Sequence, residues 1–262
     1  MSSDGAAPAG VKPTHLDPSP LGTKQYWDNL YKTEISNHAD NPTDEGTVWF
    51  DDSDAQAKIV EFLDDNYDHL KPCASVIDLG CGNGSLPFAL REDGWTGRLL
   101  GVDYSELSIK LATQLQSTRR QEEDDCDLKE VEFKTWDLLK DDPQSLQEEG
   151  GGWDVVLDKG TFDAISLSEE KDAQTGRPIC EGYADKVVRI MKTGAIFLVT
   201  SCNWTETELK GWFEADTYAD GNGNQEKRVK LRQVGRVEYR TYEFGGVKGQ
   251  TISSVCFVKE EI

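Results

Sequence analysis

Positive charge is scarce in this sequence. The 262 residues include 28 Lys and Arg against 49 Asp and Glu, a net charge of −21. A protein that tracks a phosphate backbone needs the opposite sign, so a general nucleic-acid binder is excluded. The charge keeps the chain soluble and would draw a basic partner. No apolar run approaches the roughly 20 residues that a bilayer span requires, and no membrane association is expected. Met1 to Pro20 carries neither an apolar stretch nor a basic cluster, so no secretory signal is expected there. Histidine is rare: His15, His38 and His69 lie far apart and share no ligand spacing. The cysteines Cys73, Cys81, Cys126, Cys180, Cys202 and Cys256 contain no C-x-x-C. A metal site is therefore not expected. The thiols read as reduced, which suits the cytosol, with the nucleus as a second location.

Hydrophobic residues make up 37% of the chain, enough for one core and one large domain. Residues 1–22 are small, polar and rich in Ala, Gly and Pro, and read as a flexible arm. A helical segment is expected over 23–70. Thr23 caps a helix bearing Tyr26, Trp27, Leu30 and Tyr31, and Asp51 to Asp54 opens another with Ile59, Val60, Phe62 and Leu63. From residue 71 onward strands and helices alternate, with strands expected at 75–79, 98–103, 131–135, 153–157 and 195–200. Two strand-like runs, about 234–244 and 251–259, flank Gly245-Gly246 and read as an antiparallel hairpin. Alternating βα units give a parallel sheet covered by helices, here with an antiparallel edge.

The strongest local signal is Asp78-Leu-Gly80-Cys81-Gly82-Asn-Gly84, directly after a strand and opening a helix. Such glycines let the backbone approach a ligand at the carboxyl ends of parallel strands. A dinucleotide fold more often shows G-x-G-x-x-G with pyrophosphate on the helix amides. Here the acid Asp78 precedes the loop. It would repel a diphosphate and attract an ammonium or a sulfonium, so a cationic nucleoside suits the loop better than NAD. Asp103, ending the second strand, can accept both hydroxyls of a ribose, with Tyr104 packing on the base. Its alternative role is an N-cap acid. Asp137 follows the third strand and could accept from an exocyclic amine, while the Leu138 amide donates to a ring nitrogen. Trp27 and Tyr31 share one helix face, which by periodicity alone reads as a core stripe.

The sequence resembles the seven-stranded S-adenosylmethionine-dependent methyltransferases over roughly residues 24 to 260. Asp158-Lys159-Gly160-Thr161-Phe162-Asp163 is similar to the D-K-G-T-x-D signature of the methyltransferases that modify lysines of translation elongation factor 1-alpha. Gln25-Tyr-Trp-Asp-Asn-Leu-Tyr31, Val48-Trp-Phe50, Ser201-Cys-Asn-Trp-Thr205 and Phe244-Gly-Gly246 are similar to further segments of that family.

The resemblance implies an α/β, Rossmann-like class I methyltransferase sheet in the order 3-2-1-4-5-7-6, with strand 7 antiparallel. The N-terminal helices would form a lid, with Trp27, Tyr31 and Trp49 walling the cofactor. Asp78, Gly80, Cys81, Gly82, Asp103, Tyr104, Asp137, Leu138, Asp158 and Lys159 would complete the S-adenosyl-L-methionine site, with S-adenosyl-L-homocysteine as product and no metal. Asp158, Phe162 and Asp163 would be the catalytic set, the acids shaping the loop and placing an incoming lysine. The implied partner is a basic protein, translation elongation factor 1-alpha, and the chain would act as a monomer. The wider class marks amide- and base-nitrogen methylation by an Asn/Asp-Pro-Pro-Tyr/Phe loop after strand four. That loop is absent, which argues against glutamine and nucleobase substrates. Lys159 reads as a loop-stabilising residue, Cys81 as a small packing residue, and the acidic run 122–127 as a solvated loop. A small-molecule methyltransferase and a non-catalytic cofactor-binding module are the alternatives.

Overall fold

The structure, a computed structural model, describes residues 12–122, 129–146, 151–220, 227–244 and 247–262. The acidic run and the Gly245-Gly246 pair fall largely or wholly outside these residues, as do Cys126 and the first eleven positions. Helices α1 (Lys24–Asp40) and α2 (Ala55–Tyr67) come first. The side chain of Thr23 accepts the Tyr26 amide and caps α1. Then follow β1 (Val76–Leu79), α3 (Ser85–Glu92), β2 (Leu99–Asp103), α4 (Glu106–Glu122), β3 (Glu132–Thr135) and β4 (Trp153–Lys159). The chain continues through α5 (Thr161–Ser166), α6 (Tyr183–Ile190), β5 (Met191–Ser201) and α7 (Glu206–Phe213). It closes with β6 (Thr217–Asp220), β7 (Lys227–Val237), β8 (Tyr242–Phe244), β9 (Val247–Gly249) and β10 (Ser253–Glu261).

The main sheet has the order β3-β2-β1-β4-β5-β10-β7-β6. Strands β1 to β5 are parallel, and β10 runs antiparallel to both β5 and β7. The expected order 3-2-1-4-5-7-6 is therefore present, with β10 as the antiparallel strand. The sheet has one strand more than expected. The short edge strand β6 pairs antiparallel with β7, and four residues are too few to show an alternation in sequence. The hairpin also begins earlier than its sequence suggests. The strand partnering β10 is 227–237, and residues 242–249 form a separate two-stranded ribbon. Gly235 lies within β7, where a Cβ would come 2.9 Å from the Phe62 ring.

Strand alternation sorts the core onto the two faces of the sheet. Val156 meets a cluster with Phe162, Tyr183, Phe197, Trp212 and Phe213 under α5, α6 and α7. Its neighbours Val155 and Leu157 meet Ile59, Leu63, Leu86 and Leu111 under α2, α3 and α4. Helices α5 and α7 were not anticipated. The second is announced locally by a capping box, Thr205 with Glu208.

The flexible arm expected through residue 22 does not extend over residues 12–22. Leu16 packs on the core, Lys12 pairs with Asp216 at 2.7 Å, and His15 meets Glu181 at 3.1 Å. The Ser19 amide donates to the Leu167 carbonyl at 3.0 Å. Composition suggested mobility, but these partners are some 150 or more residues distant and invisible locally. Among the described residues, no helix is long and apolar enough to cross a membrane.

Candidate active site

The order in which successive strands are added reverses between the parallel neighbours β1 and β4, the position where open α/β sheets bind ligands beyond their strand ends. A cavity of about 220 Å³ lies there. The glycine turn after β1 contributes Gly80, Cys81, Gly82 and Asn83 to its lining. Gly80, Gly82 and Gly84 adopt φ of 65°, 57° and 81°, the left-handed region that favours glycine. A Cβ at Gly82 would stand 3.0 Å from the Tyr31 hydroxyl, so this backbone is pressed against α1.

The carboxylate of Asp103 organises the next wall. One oxygen accepts the Ser105 amide at 2.8 Å and the other the Gly82 amide at 3.2 Å. Burial pushes this carboxyl up to about 6, against the hydrogen bonds that favour its ionised form. Tyr104, Asp137 and Leu138 also line the cavity. Asp137 accepts the Leu139 amide at 2.9 Å, which holds its loop.

Indoles form the roof. Trp27 and Trp49 meet edge-on at 5.3 Å, and Trp27 stacks toward Tyr31 at 6.4 Å. The Trp27 Nε1–H donates to the Leu21 carbonyl at 2.7 Å, so the N-terminal segment fixes that ring. Lys159 donates to the Trp49 carbonyl at 3.1 Å and lies 5.9 Å from the Phe50 ring centre. Its ammonium thus holds the roof segment. Burial lowers its pKa, while Asp78 and Asp158 favour its charged form.

The cavity brings together Trp27, Tyr31, Trp49, Gly80, Cys81, Gly82, Asp103, Tyr104, Asp137, Leu138, Lys159 and Asp163. Asp78, Asp158 and Phe162 are not among its lining residues. Asp78 is buried, and its carboxyl is pushed up to about 8 by burial, with the Asp158 and Asp103 charges adding and Lys159 opposing. Asp158 accepts the amides of Thr161 at 2.7 Å and Phe162 at 2.9 Å, and the Tyr183 hydroxyl. Burial pushes it up to about 7. On β4, alternation sends Asp158 to the α6 side and Lys159 to the cavity side. Phe162 is 1% exposed and packs against Tyr183, Trp204, Trp212 and Phe213. It is a core residue, which corrects its catalytic assignment. Asp163 does reach the cavity. It accepts the Ser201 hydroxyl and the Cys202 amide, the latter at 2.8 Å, and so ties α5 to the end of β5. Cys81 is buried, and burial raises its thiol pKa, which suits packing rather than nucleophilic attack.

Sequence reasoning missed Asn83. Its amide nitrogen donates to the Glu45 carbonyl at 2.9 Å and its oxygen accepts the Ser85 amide at 3.2 Å. It clamps the loop before Trp49 onto the glycine turn. Its place between two loop glycines was the available signal. Asp28 and Ser105, 2.6 Å apart, likewise pin α1 to the start of α4. Among the described residues, no three His, Cys, Asp or Glu side chains converge to hold a metal ion.

The site is a cavity beyond the strand ends of a parallel sheet, with the buried carboxylate of Asp103 in its wall. Residues 70–246 match the family described as "Methyltransferase domain". The chain is 40% identical over 247 residues to "Protein-lysine N-methyltransferase EFM4" of Saccharomyces cerevisiae, covering 94% of this chain and 97% of that protein. It is 27% identical to "EEF1A lysine methyltransferase 2" of Homo sapiens, over 92% of this chain and 88% of that one. The N-methyltransferase NodS of Bradyrhizobium japonicum, solved with S-adenosyl-L-homocysteine, superposes with a TM-score of 0.53 at 14% identity, covering 88% and 97% of the two chains. Magnesium protoporphyrin IX methyltransferase of Synechocystis, solved with bound S-adenosylmethionine, gives 0.52 at 16%, covering 90% and 96%. These two share the fold. The chain belongs to the methyltransferase-domain family and, within it, to the protein-lysine N-methyltransferases of the EFM4 type. The resemblance drawn from the D-K-G-T-F-D segment is thereby borne out.

Proposed function

We propose that the chain is an S-adenosylmethionine-dependent protein-lysine N-methyltransferase of the cytosol whose substrate is translation elongation factor 1-alpha. The observation that carries the cofactor reading is Asp103: a buried carboxylate on the cavity wall whose two oxygens accept the Ser105 and Gly82 amides, which fixes it beside the glycine turn. The substrate reading rests on end-to-end likeness to relatives named for that reaction.

The lining suits S-adenosylmethionine. Asp103 would take the ribose hydroxyls, Asp137 and Leu138 the adenine edge, and the glycine turn the amino-acid portion. When bound, that group supplies an electrophilic methyl whose leaving group is a neutral thioether. The protein's task is then the nucleophile. A lysine of pKa about 10.4 is deprotonated in only about one copy in a few thousand at neutral pH. Trp49 and Phe50 at the mouth desolvate an entering ammonium and lower that pKa. A carboxylate would raise it. Asp163 is already engaged by Ser201 and Cys202 and acts by holding the loop, so proton loss to water and orientation account for the rate.

Cofactor binding should depend on pH. Ribose hydroxyls donate to a carboxylate, so binding favours ionised Asp103. With its pKa at about 6, affinity is full above that pH and falls below it, by up to about tenfold per unit. Calorimetric titration from about pH 5 to about pH 7.5 should show this slope, and Asp103→Asn should flatten it. A flat wild-type profile would remove Asp103 from the linkage. The functional reading itself is tested by transfer of label from S-adenosylmethionine into a lysate resolved by size. One protein band at the elongation factor's position supports it. Label confined to small molecules favours a small-molecule enzyme, and no label a non-catalytic module.

A further inference from the structure

The pairing of β7 with β10 ends at Val237 opposite Ser254. Tyr239 is still buried, with its hydroxyl 2.7 Å from Ser254 Oγ. Beyond it the chain leaves the core. Residues 240–243 and 249–251 are all exposed. Strands β8 and β9 pair only with each other among the described residues. An isolated two-stranded ribbon contributes little to stability in water, so this extension serves the core poorly.

Its position is informative. Ser253, at the root of the ribbon, lies opposite Ser201, the last residue of β5. The next residues along, Cys202 and Asn203, line the cavity. At the same root Thr251 Oγ1 is 2.9 Å from Ser53 Oγ, in the turn that follows Trp49 and Phe50. The base of the ribbon therefore joins two walls of the cavity mouth. Tyr242 on β8 is 51% exposed, with the Arg240 guanidinium 5.5 Å from its ring. Among the described residues, the edge of β8 away from β9 pairs with no other strand.

We propose that this ribbon is the docking strand for the protein substrate. An extended, basic, lysine-bearing segment adds to the free edge of β8, covers Tyr242 and delivers its lysine across the mouth. The occupant is argued from continuity with the cavity and from charge: Asp51 and Asp52 are exposed on the mouth turn of a chain of net charge −21. The inference rests on the protein-lysine reading above and adds where the protein binds.

The test uses the full chain, saturating S-adenosylmethionine and varied elongation factor 1-alpha. Tyr242→Ala should raise KM for the protein roughly tenfold, the size of one well-covered aromatic contact. Its kcat, cofactor Kd and unfolding midpoint should stay at wild-type values, and Tyr242→Phe should restore KM. An unchanged KM in Tyr242→Ala overturns the proposal. So does a wild-type dimer that the same substitution dissociates without moving KM, since the ribbon would then pair copies of the chain. No transfer by the wild type would overturn this inference together with the functional reading, which separates the two failures.

Discussion

Asp103→Ala is expected to weaken S-adenosylmethionine binding more than any other single change at the cavity. Each charge-assisted hydrogen bond contributes roughly 1.5–3 kcal/mol, so losing a pair costs about a hundredfold or more in affinity. The same carboxylate accepts the Gly82 amide, so its removal also frees a turn that must stay close to Tyr31. Asp103→Asn keeps the shape and one acceptor and should fall between. Calorimetric titration measures all three proteins, and NAD should give no comparable heat with the wild type. An unchanged Kd in Asp103→Ala would take this residue out of the site.

The second large effect is expected at Asp158, by a different route. Its carboxylate collects two amides at the start of α5 and the Tyr183 hydroxyl. Asp158→Ala leaves those buried donors without an acceptor, each costing about 1–3 kcal/mol. Part of that is returned, because burying the carboxylate is itself costly, as its upward shift to about 7 records. The net loss is about 2–4 kcal/mol of stability, with turnover falling strongly because Gly160 to Asp163 loses its anchor. Tyr183→Phe removes one donor and should cost less. Phe162→Ala provides the contrast: about 3–5 kcal/mol from a hole in the aromatic cluster, with kcat retained below the lowered midpoint. Urea unfolding paired with initial rates separates the two. A wild-type midpoint and wild-type turnover in Asp158→Ala would contradict this account of the loop.

These two residues also mark how far the sequence could be read. The place of Asp103 was legible because its contacts are local: an acid at a strand end beside a glycine turn meets only the Gly82 and Ser105 amides nearby. That β1 to β5 are parallel was legible from the alternation of strands and helices, whereas their order in the sheet came from the family resemblance. Asp158 and Phe162 sat in the right motif, yet the motif does not say which face each side chain takes. The alternation of β4 and the aromatic cluster beneath α5 decide that, through Tyr183 and Trp212 far along the chain. The packing of residues 12–22 was hidden similarly, its partners being Asp216, Glu181 and Leu167. Strand β6 and helix α5 are too short to carry a periodic signal.

Methyl transfer to a lysine of a protein through the cavity built on Asp103 is tested most directly by intact-protein and peptide mass spectrometry of purified elongation factor 1-alpha. The factor is incubated with S-adenosylmethionine and either the wild-type chain or Asp103→Ala. Methyl groups should be added at lysine with the wild type, with a strong loss of that addition in the variant at subsaturating cofactor. Unmodified elongation factor with the wild type, or methylation at a residue other than lysine, would contradict it.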